Sequence, residues 1–431
     1  MNTSRRTLIQ SAGLLSTSAL MPRVWAQRAP AGNAQGRLVV VFLRGAYDGL
    51  SALVPYADKD YYAIRPTIAI AAPDGTRDTA LKLNDQWALH PAMAPLLPLW
   101  QQGVMAAIPC AGLQRPNRSH FDAQYLMEIG LSEKSSTPVG WINKLSGSNA
   151  SMHALGVGES NPAILAGQAA VKLIPRGEQA EKVGVLAQER QRNALMDLYA
   201  GNDALSVAFR QGASSRMQTS QELMNERNMV MQQRALDKDG APPTTAAQQA
   251  QMNAASNGAG DPVGLALDAA HLATLMRNDR SLRLGFLSAG GWDTHANQGA
   301  VTGQLAGNLG NLARGLAQLR AEFDQSGDVI VVMSEFGRTS AENGTKGTDH
   351  GFGNAMWLIG NRVNGGKAHG QWSGLARGNL NEARDLPAHH DYRAALAQVL
   401  RGTFGTSDSQ LQNLLPGSSW DTGLDGVMKR V

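Results

Sequence analysis

The sequence contains little that would cross-link the protein or anchor it in a membrane. Cys110 is the only cysteine, so the chain forms no intramolecular disulfide in any compartment. Its surroundings, AAIPCAG, predict a small buried side chain at the end of a strand rather than a reactive thiol. No stretch has the run of about 18 apolar residues that a membrane-spanning helix needs, so no stable membrane anchor is expected.

Clusters of basic residues are also absent. The formal net charge is only +4, and Arg5, Arg6 and Arg23 supply three positive charges within the first 26 residues. No basic stripe interleaved with aromatic residues is present, which argues against nucleic acids and against polybasic contact with a membrane surface. The eight tryptophans are scattered, which argues against binding of an extracellular polymer.

Residues 1–26 have the organisation of an export signal. Arg5 and Arg6 lie in SRRTLIQ, which resembles the twin-arginine consensus, and a weakly apolar run of 14 residues follows. The segment ends in VWA, with the small residue that signal peptidase requires. We expect the twin-arginine translocase to export the folded protein to the periplasm or beyond, with residues 27–36 as a flexible leader. The alternative is an ordinary secretory signal in which two arginines occur by chance.

Strand-like and helix-like patterns alternate over residues 37–431. Apolar runs typical of buried strands lie at 37–43, 104–112, 281–291, 328–337 and 355–363. The segments HPAMAPLLPLWQQG and GQLAGNLGNLARGLAQLRAEFDQSG between them have helical patterns. This alternation predicts one α/β domain with a doubly wound, mostly parallel sheet and helices on both faces.

The stretch 178–275 differs from the rest of the domain. Its segments rich in Gln, Met and Arg read as amphipathic helices, which predicts a helical insertion. Residues 240–262, rich in Ala, Pro, Gly and Asn, are interpreted as a flexible loop between helices, of which a part could itself be helical.

Four segments share a polar pattern in which glycines and strand-like runs adjoin Asp, Glu or His. The residues that they offer are Asp48, Asp293, His295, Glu335, Arg338, Asp349 and His350. Because such residues at the ends of parallel strands meet at one edge of a sheet, we expect a site for one or two Zn²⁺, Mn²⁺ or Mg²⁺ ions there. Arg338 is predicted either to bind an oxyanion or to pair with Glu335.

A further polar segment, QRPNRSHFDAQ, follows the strand-like run that contains Cys110. Ser119 fits a helix N-cap or a nucleophile, and His120 fits a metal ligand or an acid/base group. Near the carboxyl terminus, His389 and His390 are adjacent, and adjacent histidines point in different directions and rarely bind one metal together.

Six segments together carry a family resemblance. In chain order they read LVVVFLRGAYDGLSALVPYADKDYY, LHPAMAPLLPLW, RSHFDAQ, GGWDTHANQ, VVVMSEFGRT and GTDHGFGNAM. They resemble a family of exported bacterial proteins catalogued as domain of unknown function 1501. The resemblance implies a fold of the alkaline phosphatase and sulfatase superfamily. Family members are often encoded beside another uncharacterised exported protein, which is a candidate partner.

The resemblance also assigns roles to several residues. When the chain is matched to the order of functional residues in the superfamily, Asp48 corresponds to the first aspartate and Ser119 to the nucleophile. The later aspartate–histidine pairs are Asp293 with His295 and Asp349 with His350, although the first pair is separated by one residue where the superfamily commonly has three.

Two functions follow from these patterns. The first is a metal-dependent hydrolase of a small phosphate or sulfate ester, in which Ser119 or water attacks, His120 assists, and Arg118 or Arg338 binds the ester oxygens. The second is a non-catalytic envelope or secretion component of the same fold, which binds a partner protein through the insertion.

Overall fold

The computed structural model describes residues 36–136, 139–230 and 246–429. The predicted signal peptide, nearly all of the predicted leader and residues 240–245 of the predicted loop lie outside these ranges. Within them, no helix combines the length and the apolar character needed to cross a bilayer.

Most strands of the described residues belong to one large sheet. In chain order they are β1 (Leu38–Leu43), β2 (Leu53–Val54), β3 (Leu81–Lys82), β4 (Ala88–Leu89), β5 (Met105–Gly112), β6 (His153–Gly158), β7 (Val171–Pro175), β8 (Leu282–Ala289), β9 (Val329–Ser334), β10 (Asn354–Ile359), β11 (Lys367–Ala368) and β12 (His390–Asp391). The large sheet has the order β11-β5-β10-β9-β1-β8-β6-β7, and β12 also pairs with β5. Strands β2, β4 and β3 form a small antiparallel sheet of their own.

The helices pack on both faces of the large sheet. The α-helices are α1 (Gly49–Ala52), α2 (Lys59–Ile64), α3 (Leu97–Gln101), α4 (His120–Ile129), α5 (Trp141–Gly147), α6 (Glu189–Leu198), α7 (Ala204–Val230), α8 (Ala246–Ser256), α9 (Leu265–Asn278), α10 (Gln304–Glu322), α11 (Tyr392–Phe404) and α12 (Asp408–Leu414). Short 3-10 helices lie at Pro91–Leu96, Ala163–Leu165, Gly177–Glu181, Gly184–Ala187, Pro262–Gly264, Arg377–Asn379 and Thr422–Leu424.

Strand β1 shows why its sequence is apolar without alternation. Val39 and Val41 belong to the core cluster that includes the buried sides of α9 and α10. Val40 and Phe42 belong to the cluster on the opposite face, which includes the buried sides of α4 and α11. A strand covered by helices on both faces buries every side chain, so a continuous apolar run is what this position requires.

The direction of β10 determines the geometry of the sheet edge. Every other pairing in the large sheet is parallel, whereas β10 runs antiparallel to both β5 and β9. The carboxyl ends of β1, β5, β8 and β9 therefore lie at the same edge as the amino end of β10. The sheet confirms the predicted mostly parallel α/β fold.

The stretch predicted as an insertion contains α6, α7, α8 and α9. Helix α9 packs on the large sheet, and its Leu272 and Leu275 are completely buried in the core. Helix α8 lies within the predicted loop, in agreement with the alternative that part of it is helical. Strand β6, the edge strand β7 and the small antiparallel sheet were not predicted from the sequence.

Candidate metal centre

Four chain segments bring polar side chains to the edge where the parallel strands end. His120 begins α4 after β5, the segment after β8 carries Asp293 and His295, and Glu335 directly follows β9. His350 lies before β10 rather than after it, and the reversed direction of that strand brings it to the same edge.

Three imidazoles and one carboxylate converge at the centre of this edge. The Nε2 atoms of His120, His295 and His350 lie 3.4, 2.8 and 3.2 Å from Oδ1 of Asp293. Nε2 of His350 lies 2.9 Å from that of His120 and 3.1 Å from that of His295. Ligands about 2.0–2.1 Å from a tetrahedral metal are about 3.3 Å apart, so the donor atoms of His120, Asp293 and His350 have nearly the spacing of three ligands of one ion. Nε2 of His295 lies close to the donor atoms of Asp293 and His350.

The hydrogen-bond partners of the Nδ1 atoms determine whether each Nε2 atom carries a proton or a free lone pair. Nδ1 of His120 lies 2.7 Å from Glu335, Nδ1 of His295 lies 2.9 Å from Asp349, and Nδ1 of His350 lies 2.9 Å from the carbonyl oxygen of Arg118. A carbonyl or carboxylate oxygen only accepts, so each Nδ1 carries a proton. Each neutral ring therefore presents an Nε2 lone pair, and three lone pairs and a carboxylate oxygen face one point.

This arrangement requires a positive charge at its centre. Burial raises the pKa of Asp293, but its close contacts with the three histidine rings and the charge of Arg338 outweigh burial and hold that pKa far below its usual value. Burial disfavours the charged form of His120, yet hydrogen bonds to Asp293 and Glu335 outweigh it and raise its pKa to about 9. Without a metal, a proton on His120 supplies the charge that a cation would otherwise bring.

Glu335 is a buried partner of His120 rather than part of the central donor set. Its Oε1 accepts from the backbone N–H of Gly45 at 2.7 Å, from Nδ1 of His120 and from Gln124. Burial raises the pKa of Glu335, but the bond from His120 outweighs it and keeps that pKa below its usual value. A carboxylate behind a metal-binding imidazole fixes its tautomer and orientation, which is the arrangement found around many metal sites.

The match to a family model extends over nearly all of the described sequence. The model of a protein of unknown function, DUF1501, matches residues 35–415. The chain belongs to the DUF1501 family. No curated protein matches it.

Two solved structures illustrate what the fold of the chain is similar to. Alkaline phosphatase from the Antarctic bacterium TAB5 is 9% identical, with a TM-score of 0.35, and the match covers 87% of this chain and 100% of that one. Ps i-CgsB in complex with k-i-k-neocarrahexaose is 12% identical, with a TM-score of 0.31, and the match covers 79% and 68%. At such low identities and TM-scores, neither similarity carries an argument about the function of this DUF1501 protein.

Among the predicted ligands, Asp48 is the one that the structure places elsewhere. Arg65 binds both of its oxygens, with Nη1 to Oδ2 at 2.6 Å and Nη2 to Oδ1 at 3.0 Å. Gln298 and Ser51 also donate to Oδ2, at 2.9 and 2.8 Å. With its oxygens engaged in this way, Asp48 is part of a buried ion pair and not of the histidine cluster.

Asp349 and Arg338 surround the central donors. Asp349, half-exposed, orients His295 through its Oδ1. Arg338 is buried and its Nη1 lies 2.7 Å from Asp293, so the predicted pairing with Glu335 is replaced by one with Asp293. Arg338 also donates to the hydroxyl and the carbonyl of Thr348. Because its guanidinium is enclosed by these partners, it is not open to a substrate.

Ser119 occupies the N-cap of α4, as one of the two sequence interpretations requires. Its hydroxyl accepts from the backbone N–H of Asp122 at 3.5 Å, and the residue is exposed beside His120. The neighbouring Arg118 binds Glu382 and Asp385 through Nη2, and about a third of its side chain is exposed.

The adjacent His389 and His390 lie apart from the cluster. His390 binds Asp421 through Nδ1 at 2.6 Å, and His389 lies 3.1 Å from Ser373.

The number of metal ions follows from which donor atoms lie close together. Within the ranges that the structure describes, His120, Asp293 and His350 form one group whose donor atoms are close enough to bind the same ion, which favours a single metal over a pair.

The sequence did not indicate the buried polar residues that hydrogen-bond to the residues around the histidine cluster. Gln124 donates to Glu335, and Arg44 donates to Gln124. Gln298 donates to Asp48 and accepts from the hydroxyl of Thr348. Arg44 directly after a buried strand was the available signal, since a charged residue at that position needs buried partners.

Proposed function

We propose that this protein is a Zn²⁺-dependent hydrolase of phosphate or sulfate esters. The observation that carries the proposal is the convergence of three Nε2 lone pairs on Oδ1 of Asp293. Lone pairs and a carboxylate that face one point repel one another unless a positive charge lies between them, and a bound metal ion supplies that charge. Three imidazoles and one carboxylate suit Zn²⁺ better than Mg²⁺, which prefers oxygen ligands.

In the proposed reaction, the metal and two exposed residues have separate roles. When bound, Zn²⁺ would act as a Lewis acid that polarises the ester oxygen and activates a nucleophile. Ser119 is our candidate nucleophile because its hydroxyl is exposed immediately before the ligand His120. Arg118, rather than the enclosed Arg338, is our candidate for binding the ester oxygens, because part of its guanidinium side chain is exposed at the rim.

Metal analysis and ester turnover test the proposal together. We expect about one Zn²⁺ per chain in the purified protein after incubation with Zn²⁺ and dialysis, with turnover of p-nitrophenyl phosphate or p-nitrophenyl sulfate. His350→Gln should lose both properties, because it removes the ring that contacts Nε2 of both other histidines. His153→Gln is the matched control, because the ring of that exposed histidine bonds the Ala150 carbonyl and does not belong to the histidine cluster. A wild-type protein without bound metal would overturn the proposal.

A second function is favoured by one observation on the helical stretch. Val185, Leu198 and Leu205 are 62, 72 and 67% exposed. Apolar side chains this exposed mark candidate protein contacts, which supports the non-catalytic, partner-binding alternative. The test of this second function is whether wild type captures the exported protein encoded beside it, and whether a Leu198→Ser, Leu205→Ser double variant does so less well. Substitution is preferable to deletion of residues 178–275, because deletion would remove α9 from the core. Zn²⁺ binding without ester turnover, together with partner loss in the double variant, would favour this function over hydrolysis.

Export is proposed from the sequence of residues 1–26, which lie outside the described residues. Arg5→Lys with Arg6→Lys should retain the protein in the cytoplasm if the twin-arginine translocase carries it. Unchanged export of that variant would indicate an ordinary secretory signal. Cell fractionation followed by immunoblotting distinguishes the two outcomes.

A further inference from the structure

Gln124 connects the histidine cluster to two other parts of the fold. Its side chain is completely buried on α4, one turn after His120. Its Oε1 accepts from Nη1 of Arg44 at 2.9 Å, and its Nε2 donates to Glu335 at 2.9 Å and to the carbonyl of Ala255 at 2.8 Å. Since a guanidinium only donates and a carbonyl only accepts, these partners fix which end of the amide is oxygen.

The first consequence concerns Glu335. Its Oε1 receives three N–H donors, from Gly45, His120 and Gln124. Its Oε2 lies 2.9 Å from the hydroxyl of Ser334, which shares its one proton with the carbonyl of Leu43. A carboxylate held by three N–H donors has little freedom to rotate. The Nδ1–H of His120 therefore meets an acceptor of fixed position, and its Nε2 stays directed at Asp293.

The second consequence concerns the far side of the amide. Arg44 is almost completely buried and lies 2.6 Å from Glu128 and 2.7 Å from Glu159. Charge-assisted bonds of this length are among the strongest in proteins, so Arg44 is a rigid donor. Ala255 belongs to α8, so the same amide also contacts the helical stretch.

We propose that Gln124 is a positioning residue for the metal centre. Its bonds to Arg44 and to α8 hold the amide in place, and the amide in turn holds Glu335. Glu335 then keeps the proton of His120 on Nδ1 and fixes the orientation of the ring. The part of this inference that concerns metal affinity rests on the proposed function. The part that concerns the orientation of His120 does not.

The experiment compares Gln124→Met with Gln398→Met. Methionine keeps the length of glutamine but neither donates to Glu335 nor accepts from Arg44 as an amide does. Gln398 is a matched control, because it is a buried helical glutamine whose amide, among the described residues, donates to the Asp421 carbonyl and to Asp425 and not to the histidine cluster. The readouts are the Nδ1–H proton signal of His120 in the metal-free protein, assigned with a His120→Gln variant, and the Kd for Co²⁺ from its visible absorption.

We expect the Nδ1–H signal to be protected from solvent exchange in wild type and in Gln398→Met, and to broaden or disappear in Gln124→Met. We also expect Co²⁺ affinity to fall about 10- to 100-fold in Gln124→Met alone, as for other residues that orient metal ligands. A folded Gln124→Met protein with the wild-type signal and Kd would overturn the proposal.

A second variant keeps the test decisive if Gln124→Met does not fold. Gln124→Glu retains an acceptor for Arg44 but cannot donate to both Glu335 and Ala255, so the signal and the Kd should change in the same direction. If wild type binds no Co²⁺, the proposed function fails, and the Nδ1–H signal alone decides the role of Gln124.

Discussion

The ion pair between Asp48 and Arg65 gives the sharpest prediction about the fold. Both side chains are essentially inaccessible to solvent, and the carboxylate accepts from two guanidinium nitrogens, one amide and one hydroxyl. Asp48→Asn removes the charge and turns an NH₂ group toward donors. It therefore leaves Arg65 buried without a counter-ion.

The magnitude follows from that buried, unpaired guanidinium. Breaking a buried pair by removing one partner typically lowers the free energy of unfolding by about 3–5 kcal/mol. The pH dependence has a defined sign. Burial raises the pKa of Asp48, but Arg65 outweighs it and lowers that pKa below its usual value. The contribution of Asp48 is thus fully present above the unfolded-state pKa of about 4. It is lost as the pH falls through the lower folded-state pKa.

Urea unfolding of wild type and Asp48→Asn between pH 3 and pH 7, with Zn²⁺ stoichiometry measured in parallel, is the assay. We expect the stability difference to be largest at pH 7 and to shrink in acid, with about one Zn²⁺ retained per folded chain. Asp85→Asn is the control, because Asp85 pairs with Lys82 in full solvent exposure and its loss should not be measurable. A folded Asp48→Asn protein of wild-type stability that has lost its Zn²⁺ would show that Asp48 is a ligand and that the assignment to an ion pair is wrong.

Three further predictions concern single residues. Burial raises the pKa of Cys110 to about 12, so the native protein should not react with a thiol reagent at neutral pH, whereas the urea-unfolded protein should release one equivalent of chromophore. Gly45→Ala should lower the free energy of unfolding by about 1–3 kcal/mol and weaken Zn²⁺ binding, measured by urea unfolding and chelator competition. The reason is that φ is +113° at Gly45 and a Cβ would lie 2.9 Å from the backbone nitrogen of Asp293. Arg118→Gln should raise KM for the active ester about 10- to 100-fold with a smaller change in kcat, while exposed Arg115→Gln should leave both unchanged; equal effects of the two variants would refute the role of Arg118.

The sequence predicted the strands better than the partners of the side chains at their ends. Runs such as LVVVFL are apolar without alternation, and burial on both faces explains both the pattern and the success of the prediction. The expectation that Asp293, His295 and His350 share one edge rests on the carboxyl ends of parallel strands. The structure brings these residues together with His120, but His350 precedes the antiparallel β10 and does not follow a parallel strand. Strand β6, which pairs with β8 and β7, was missed because HALGVG is short and contains two glycines, which weakens any strand pattern.

The partner of Asp48 was not predictable from its position. A carboxylate after a strand fits a metal ligand or an ion pair equally well, and Arg65 follows 17 residues later outside any helical or strand periodicity. The role of Gln124 was hidden for the same reason. An amide in the second turn of a helix has no sequence pattern that distinguishes a solvent-facing side chain from one bonded to Glu335, and only the fold brings α4 against β9.

The direction of β10 explains how a residue before a strand joins residues that follow other strands. Strands β9 and β10 continue as an antiparallel pair beyond the sheet. The N–H of Gly337 donates to the carbonyl of Phe352, the N–H of Gly351 donates to the carbonyl of Gly337, both at 2.8 Å, and Arg338 forms a β-bridge with His350. This close approach requires glycine, since a Cβ on Gly351 would lie 2.4 Å from the carbonyl of Arg338. His350 is therefore held by a backbone ladder, and Arg338, on the facing strand of the same ladder, holds Asp293. Two of the four central donors are thus positioned by hydrogen bonds that exist without a metal, which is the pre-organisation that tight and selective ion binding needs.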